Sequence, residues 1–366
     1  MKKQIVNTFQ LFTLIFLFEL GTAVVVGVGM TAKQDAWWII LLSTGIGIIL
    51  YLMYTAIFRG NNNIPLTKYI PQILGPLIGY PLSILYILFF IDIAARDVRD
   101  LVELIIISIM PFSFNLVIGA VIVLLVAYAV YGGIEPLARA GEIFFFIILI
   151  IGIFGTLFII ITPEAINIDR FLPLFQIKRK DLLNTLPTTI TVPFGEGTVF
   201  MMLFHHLKES KSIRKAGVMA IILAGLSLSL ATILEIATLG PYIASTSEFP
   251  LLSLTQQINV LNFLQRLDAI AICVMIICVF FKITIFFYAA VTGVTDMFKI
   301  KKTGYVIGII SLIVLVYSLL MAKNTVQHLY IGLKIFPLYI HTPMLIIIPL
   351  LLLIVSRIRK KKQTMS

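Results

Sequence analysis

Apolar residues along this chain gather into ten blocks, at about 8–29, 36–58, 81–110, 115–131, 142–162, 182–204, 216–240, 266–293, 304–321 and 335–356. Crossing roughly 30 Å of hydrocarbon takes about 20 helical residues, so each block predicts a membrane helix. The expected fold is an all-α integral membrane bundle of about ten transmembrane helices, one domain over residues 1–366.

Two blocks contain residues that a plain membrane helix avoids. In the sixth, Thr191-Val192-Pro193-Phe194-Gly195-Glu196-Gly197-Thr198 puts a proline, two glycines and a carboxylate at bilayer depth. Proline removes a backbone donor and glycine tolerates most backbone angles, so the helix is expected to break here. In the first, Glu19 stands beside Gly21-Thr22-Ala23, with Gly27 and Gly29 following. Irregular backbone at that depth persists only where protein or a water-filled cavity covers it, and its freed amides attract anionic groups. Two readings fit: a small-molecule site, or a proline kink filled by neighbouring side chains. Interruptions in the first and sixth of ten blocks are what five helices repeated upside down produce. The repeats would span about 8–162 and 182–357, with a basic tail at 357–366.

Composition fixes the solvent. The chain is 60% hydrophobic and 12% charged, and its mean hydropathy of +1.07 leaves lipid as the medium. With both termini cytoplasmic, seventeen basic residues fall in inner connections against eight outside, which agrees with the positive-inside rule. The net charge of +11 is thereby explained by membrane topology and anionic lipid, with no nucleic acid as partner. Cys273 and Cys278 sit about 140° apart on one helix and read as packing residues. The first block reads as a retained helix, not a cleaved signal.

The remaining polar residues at depth are few. Asp92, Arg96, Asp97, Arg99, Asp100 and Glu103 crowd the third block, and Asp92, Arg96, Arg99, Asp100 and Glu103 share a stripe of four-residue ion-pair spacings. The stripe is either a structural clasp or a wall of a ligand vestibule or subunit contact; in neither case does it face lipid. Lys282 lies between Phe281 and Ile283. It either snorkels to an interface or pairs with Glu19 and freed carbonyls of the first block, where it would stand in for a bound sodium ion. Residues 64–77 suggest an amphipathic helix on the inner leaflet, 162–181 a long outer loop that either caps the mouth or is simply solvated, and 251–261 a partial helix. His205 and His206 read as interfacial, Glu235 as an isolated acid in the seventh block, and the ninth and tenth blocks as scaffold.

On Asn7-Thr8-Phe9-Gln10, the Gly21-Thr22-Ala23 break, Arg96 to Glu103, the block from Val192 to Leu203 with Phe194-Gly195-Glu196 ahead of a basic loop, Lys208 to Lys215, and the ending from Leu329, the chain resembles the endospore germination permease family. These are the B subunits of spore germinant receptors, within the amino acid–polyamine–organocation superfamily with its LeuT-type fold. Many relatives place a proline shortly after the first-helix glycines, whereas this chain has Val28 and no proline in that block. The resemblance implies a receptor subunit in the inner spore membrane, with an A subunit and a C-subunit lipoprotein as partners.

The expected ligand is a small germinant, most simply an amino acid. Its carboxylate would lie on the amides of Gly21, Thr22, Ala23 and Val24. Pro193, Phe194, Gly195, Glu196 and Gly197 would form the other wall, with Phe194 as gate and with Glu196 and Gly195 holding either the amine or the unwound geometry. Glu19, Arg96, Arg99, Asp100, Glu103 and Lys282 would supply coupling or structural charge. The competing readings are a proton- or cation-coupled amino-acid transporter, with Glu196 or Lys282 carrying the coupling charge, and a non-binding scaffold. No nucleophile–base pair, metal-ligand spacing or phosphate loop occurs, so neither an enzyme nor a cofactor is expected.

Overall fold

A computed structural model describes residues 5–61, 63–207, 212–260, 264–265 and 267–363. The basic positions 2, 3, 208, 211 and 266, and the last three residues of the tail, lie outside the described residues.

Among the described residues, nine helices are long and apolar enough to cross a membrane: Thr8–Val26, Met30–Gly60, Pro76–Ser108, Asn115–Gly132, Ile134–Ile161, Ile213–Leu239, Asp268–Met297, Thr303–Leu320 and Pro337–Arg359. The sixth of the ten expected spans is missing from that set because it is broken. Its helix Arg179–Thr191 stops, Val192 is extended at φ −114° and ψ 116°, and a 3-10 stretch Phe194–Met202 follows. Proline pushes the residue before it out of the helical region, which is what Val192 shows.

The first span is broken as expected, over a short distance. A capping box starts it, with Asn7 accepting from the Gln10 amide at 2.8 Å and Gln10 accepting from the Asn7 amide at 3.0 Å. Its helix Thr8–Leu20 ends at Gly21; a single turn Ala23–Val26 then closes on Gly27, whose φ of 59° is the left-handed conformation glycine adopts freely.

The two broken spans run antiparallel. At one end the Val6 amide donates to His206 O at 3.0 Å, so the start of the first span meets the end of the sixth. At the other, the hydroxyls of Thr31 and Thr185 are 3.0 Å apart. Both breaks therefore fall at the same depth.

Three connecting segments differ from expectation. The helix Leu66–Leu74 buries Leu66, Tyr69, Ile70 and Ile73 against the bundle, and Tyr69 donates to Met201 Sδ at 3.0 Å, so its apolar face is used by protein. The partial helix stops at Thr255, and Asn259–Val260 pairs antiparallel with Leu264–Gln265. The loop after the fifth span is pinned: Asp35 accepts from the amides of Phe175, Gln176 and Ile177 at 2.8–2.9 Å, and the Arg170 guanidinium donates to Ala237 O and Thr238 O.

Close helix approach holds the second span to the seventh. A Cβ on Gly217 would overlap the Tyr51 ring, and one on Gly225 would overlap Thr44. Small residues let membrane helices approach until backbones nearly touch, where dispersion and hydrogen bonds hold them. Tyr51 adds one such bond, donating to Ile213 O at 3.0 Å. Gly225→Ala is expected to lower the melting temperature of the purified protein, since overpacking costs about 1–3 kcal/mol. Gly45→Ala, where a Cβ meets nothing within 4 Å, should not lower it.

Candidate functional site

At the depth of the two breaks, one ion pair ties three spans together. Lys282, on the eighth span, places Nζ 2.6 Å from Glu196 Oε2 of the sixth and donates to Thr22 Oγ1 of the first, also at 2.6 Å. Asp97 of the third span stands 3.9 Å away, and the Phe18 ring lies 5.8 Å from the ammonium. Lys282 is 0% exposed, so it does not snorkel.

The breaks make this approach possible. The lysine stem runs along Gly21, where a Cβ would come within 2.5 Å of Lys282 Cδ. That route carries the ammonium past Glu19, and the expected Lys282–Glu19 pair does not form. Glu19 is 0% exposed and neither carboxylate oxygen has a hydrogen-bond partner among the described residues. One of them packs on Gly197, 3.5 Å from where a Cβ would sit.

The third-span stripe is partly as read. Arg96 pairs with Asp92 at 2.9 Å and lies 3.7 Å over the Phe336 ring, and Arg99 pairs with Glu103 at 2.5 Å. Asp100 does not turn to Arg96. It meets His328 Nε2 at 2.8 Å, and Glu103 accepts from Thr325 at 2.8 Å. The stripe thus clasps the tenth span and also reaches the site.

Two openings flank the unwound backbone. The larger, about 460 Å³, is polar: Thr22, Arg96, Asp97, Asp100 and Glu196 face His328, Phe336 and His341 across it. The smaller, about 370 Å³, is lined by Ala23, Val24, Pro193 and Phe194 with apolar residues of the second and seventh spans. The expected site residues are therefore divided between two faces. Gly21, Gly195 and Gly197 border neither opening: the Gly21 amide is already bonded to Leu17 O at 3.0 Å, and Gly195 O lies 3.0 Å from the Tyr54 hydroxyl.

The tenth span, expected as scaffold, also lines the polar opening. It winds as π-helix over Ile331–Ile335 and Pro337–Ile347, and it sets His341, 3% exposed with both ring nitrogens unpartnered among the described residues, at the polar opening. Sequence reading also left Asp97 out of the site. Its signal was there: it interrupts the apolar row Ile93, Leu101 and Leu104 on the buried face. No comparable signal marked His341, because the π-helical winding decides where it points, nor His328, on the α-helix Thr325–Tyr330 just before that winding.

The family model for a spore germination protein matches residues 5–326. The chain belongs to the spore germination protein family. Spore germination protein KB of Bacillus subtilis is 35% identical over 100% of this chain and 98% of its own length. Spore germination protein YndE of the same organism is 24% identical, covering 90% of this chain and 89% of its own. Among solved structures, the nucleobase-cation-symport-1 family transporter Mhp1 with bromovinylhydantoin bound has a TM-score of 0.70 at 11% identity, covering 96% of this chain and 78% of that one. MhsT in complex with L-phenylalanine has a TM-score of 0.71 at 11% identity, over 97% and 89%. This member of the germination family thus has the LeuT-type fold of membrane transporters, and its relatives are not enzymes.

Removing one partner of a buried pair strands the other charge, at about 3–5 kcal/mol. Lys282→Met should therefore destabilise the protein strongly, and adding Glu196→Gln should recover part of the loss. Melting temperatures of the singles and the double give the coupling; strict additivity would mean that the pair carries no structural weight.

Proposed function

We propose that this chain is the B subunit of a spore germinant receptor. It lies in the inner spore membrane with both termini cytoplasmic, beside an A subunit and a C-subunit lipoprotein. It binds a small nutrient germinant, most simply an amino acid, and binding triggers germination.

The observation that carries this reading is the mixed lining of the polar opening. Arg96, His328 and His341 offer donors for a carboxylate, and Asp97, Asp100 and Glu196 offer acceptors for an ammonium. A zwitterion with both groups on one carbon needs both kinds within a few ångströms. Membership of the germination family supplies the biological setting.

The proposed site thus draws on spans one, three, six and ten. Of the four expected first-helix donors, the Gly21 amide is already bonded to Leu17 O and is not available to the ligand. Phe194, 1% exposed and packed so that a Cβ on Gly47 would come within 2.5 Å of its own, is the closing element on the far side of the break. The ligand acts by binding one arrangement of the breaks more tightly than another.

Likeness in fold to two transporters supports a second reading, an amino-acid transporter coupled through the Lys282–Glu196 pair. The two readings separate in proteoliposomes containing this chain alone, given a panel of labelled amino acids. Saturable binding without uptake is expected. Arg96→Gln should weaken it by about tenfold or more, the loss of one charge-assisted hydrogen bond. Gly21→Trp, which displaces Lys282, should abolish it. Uptake above empty vesicles that Gly21→Trp removes would make the chain a transporter, and binding unchanged in both variants would remove the site assignment.

A further inference from the structure

Gly195 borders neither opening, yet it stands where two walls of the polar one are joined. Immediately before Glu196, its backbone rests on the tenth span: a Cβ at Gly195 would come 3.3 Å from Leu345 Cδ1 and 3.5 Å from Leu345 Cβ. Leu345 lies beyond His341 in the same π-helical stretch, about one turn further on. The contact therefore joins the wall that carries Glu196 to the wall that carries His341 and Phe336. A side chain at position 195 would hold the two apart.

One hydroxyl closes that contact. Tyr54, 0% exposed on the second span, lies 2.6 Å from Leu345 O and 3.0 Å from Gly195 O. A phenol has a single hydrogen to donate, so the two carbonyls share it in one three-centred bond. The second span gives this tyrosine a firm base. On the same helix Tyr51 donates to Ile213 O at 3.0 Å and fills the space beside Gly217, while Thr44 fills the space beside Gly225. Tyr86 and Thr188 also donate to the tenth span, at Met344 O and Leu333 O, from the third span and from the helix ahead of the break. Of these three hydroxyls, that of Tyr54 also meets the 3-10 stretch carrying Glu196.

We propose that Tyr54 is a positioning residue that sets the spacing between the Glu196 and His341 walls, and through it the size of side chain that the polar opening accepts. The effect on a ligand rests on the amino-acid reading above; the effect on the spacing does not. With the hydroxyl in place the walls are held at their closest approach, Gly195 against Leu345. Without it the two carbonyls lose their shared donor and the contact at Gly195 loosens. Larger side chains then gain entry, and small ones are held less tightly.

The first test needs no ligand. Melting temperatures are measured for the purified full-length protein in lipid nanodiscs as wild type, Tyr54→Phe, Gly195→Ala and the double variant. Gly195→Ala pushes a methyl against Leu345, so it should cost less in the Tyr54→Phe background than in wild type. In a Tyr51→Phe background, where a like hydroxyl is lost elsewhere on the same span, its cost should be unchanged. The second test is equilibrium binding of labelled alanine, valine and leucine to the same samples. Wild type should favour alanine, and Tyr54→Phe should narrow the preference for alanine over leucine by up to about tenfold, the scale of one hydrogen bond. Gly195→Ala should narrow it in the same direction, and Tyr51→Phe should leave it unchanged. Additive melting shifts for Tyr54→Phe and Gly195→Ala overturn the spacing role, and equal weakening toward all three amino acids overturns the selectivity. Should Tyr54→Phe fail to fold, an unchanged preference in Gly195→Ala overturns the proposal by itself. Should wild type bind none of the three, the amino-acid reading fails and the melting series still decides the spacing.

Discussion

The Lys282–Glu196 contact is the constraint on which the rest of the site depends. Burying two charges costs several kcal/mol per ion, and attraction offsets that only with good geometry and further hydrogen bonds. Here those supports come from different spans: the Thr22 hydroxyl at 2.6 Å, Asp97 at 3.9 Å and the face of Phe18. Each break has a distinct part in this. At Gly21 the missing side chain lets the lysine stem pass, and at Val192–Pro193 the extended backbone and 3-10 turn bring Glu196 inward. Regular helices in both places would leave the ammonium and the carboxylate on separate elements with nothing to join them.

One backbone consequently serves two unlike cavities. Along the first break, Thr22 and Val26 face the polar opening while Ala23, Val24 and Val28 face the apolar one. Along the sixth, Val192 and Glu196 divide from Pro193 and Phe194 in the same way. Lys282 contacts both segments at once, Glu196 of the sixth span and Thr22 of the first. Under the proposed function, a ligand at the polar opening would act on this element through its differential affinity for two positions of it.

Much of this was legible in the sequence, and the division follows the physics. Blocks of apolar residues gave nine of the spans directly, because length and hydropathy alone decide a membrane helix. Pro193 and the glycines gave both breaks, because backbone chemistry acts locally. Glu196 and Lys282 were visible as charges at depth, but their pairing was not. Glu19 and the first-block carbonyls were the expected partners of Lys282, and Glu196 was not among them; the choice rests on the side of Gly21 along which the lysine passes. Asp97 was passed over because it lies off the charged stripe, on the apolar packing face of the third span, where it stands 3.9 Å from Lys282. The tenth span was the largest surprise, since three prolines spaced along an apolar block read as scaffold and say nothing of the helical winding between them.

That winding completes the site. In the π-helical stretch the usual partners of backbone carbonyls are displaced, and hydroxyls from other spans take them up: Tyr54 lies 2.6 Å from Leu345 O, Tyr86 donates to Met344 O at 2.7 Å, and Thr188 to Leu333 O at 2.7 Å. Such π segments commonly occur at functional sites, where the extra residue per turn redirects side chains. Here they set His341 and Phe336 at the polar opening, with Phe336 under Arg96. The Tyr54 hydroxyl also lies 3.0 Å from Gly195 O, so the residue that holds the tenth span touches the sixth-span break itself. The acceptors and donors lining the polar opening come from four separate spans, and Tyr54 ties two of them, the sixth and the tenth, to one hydroxyl.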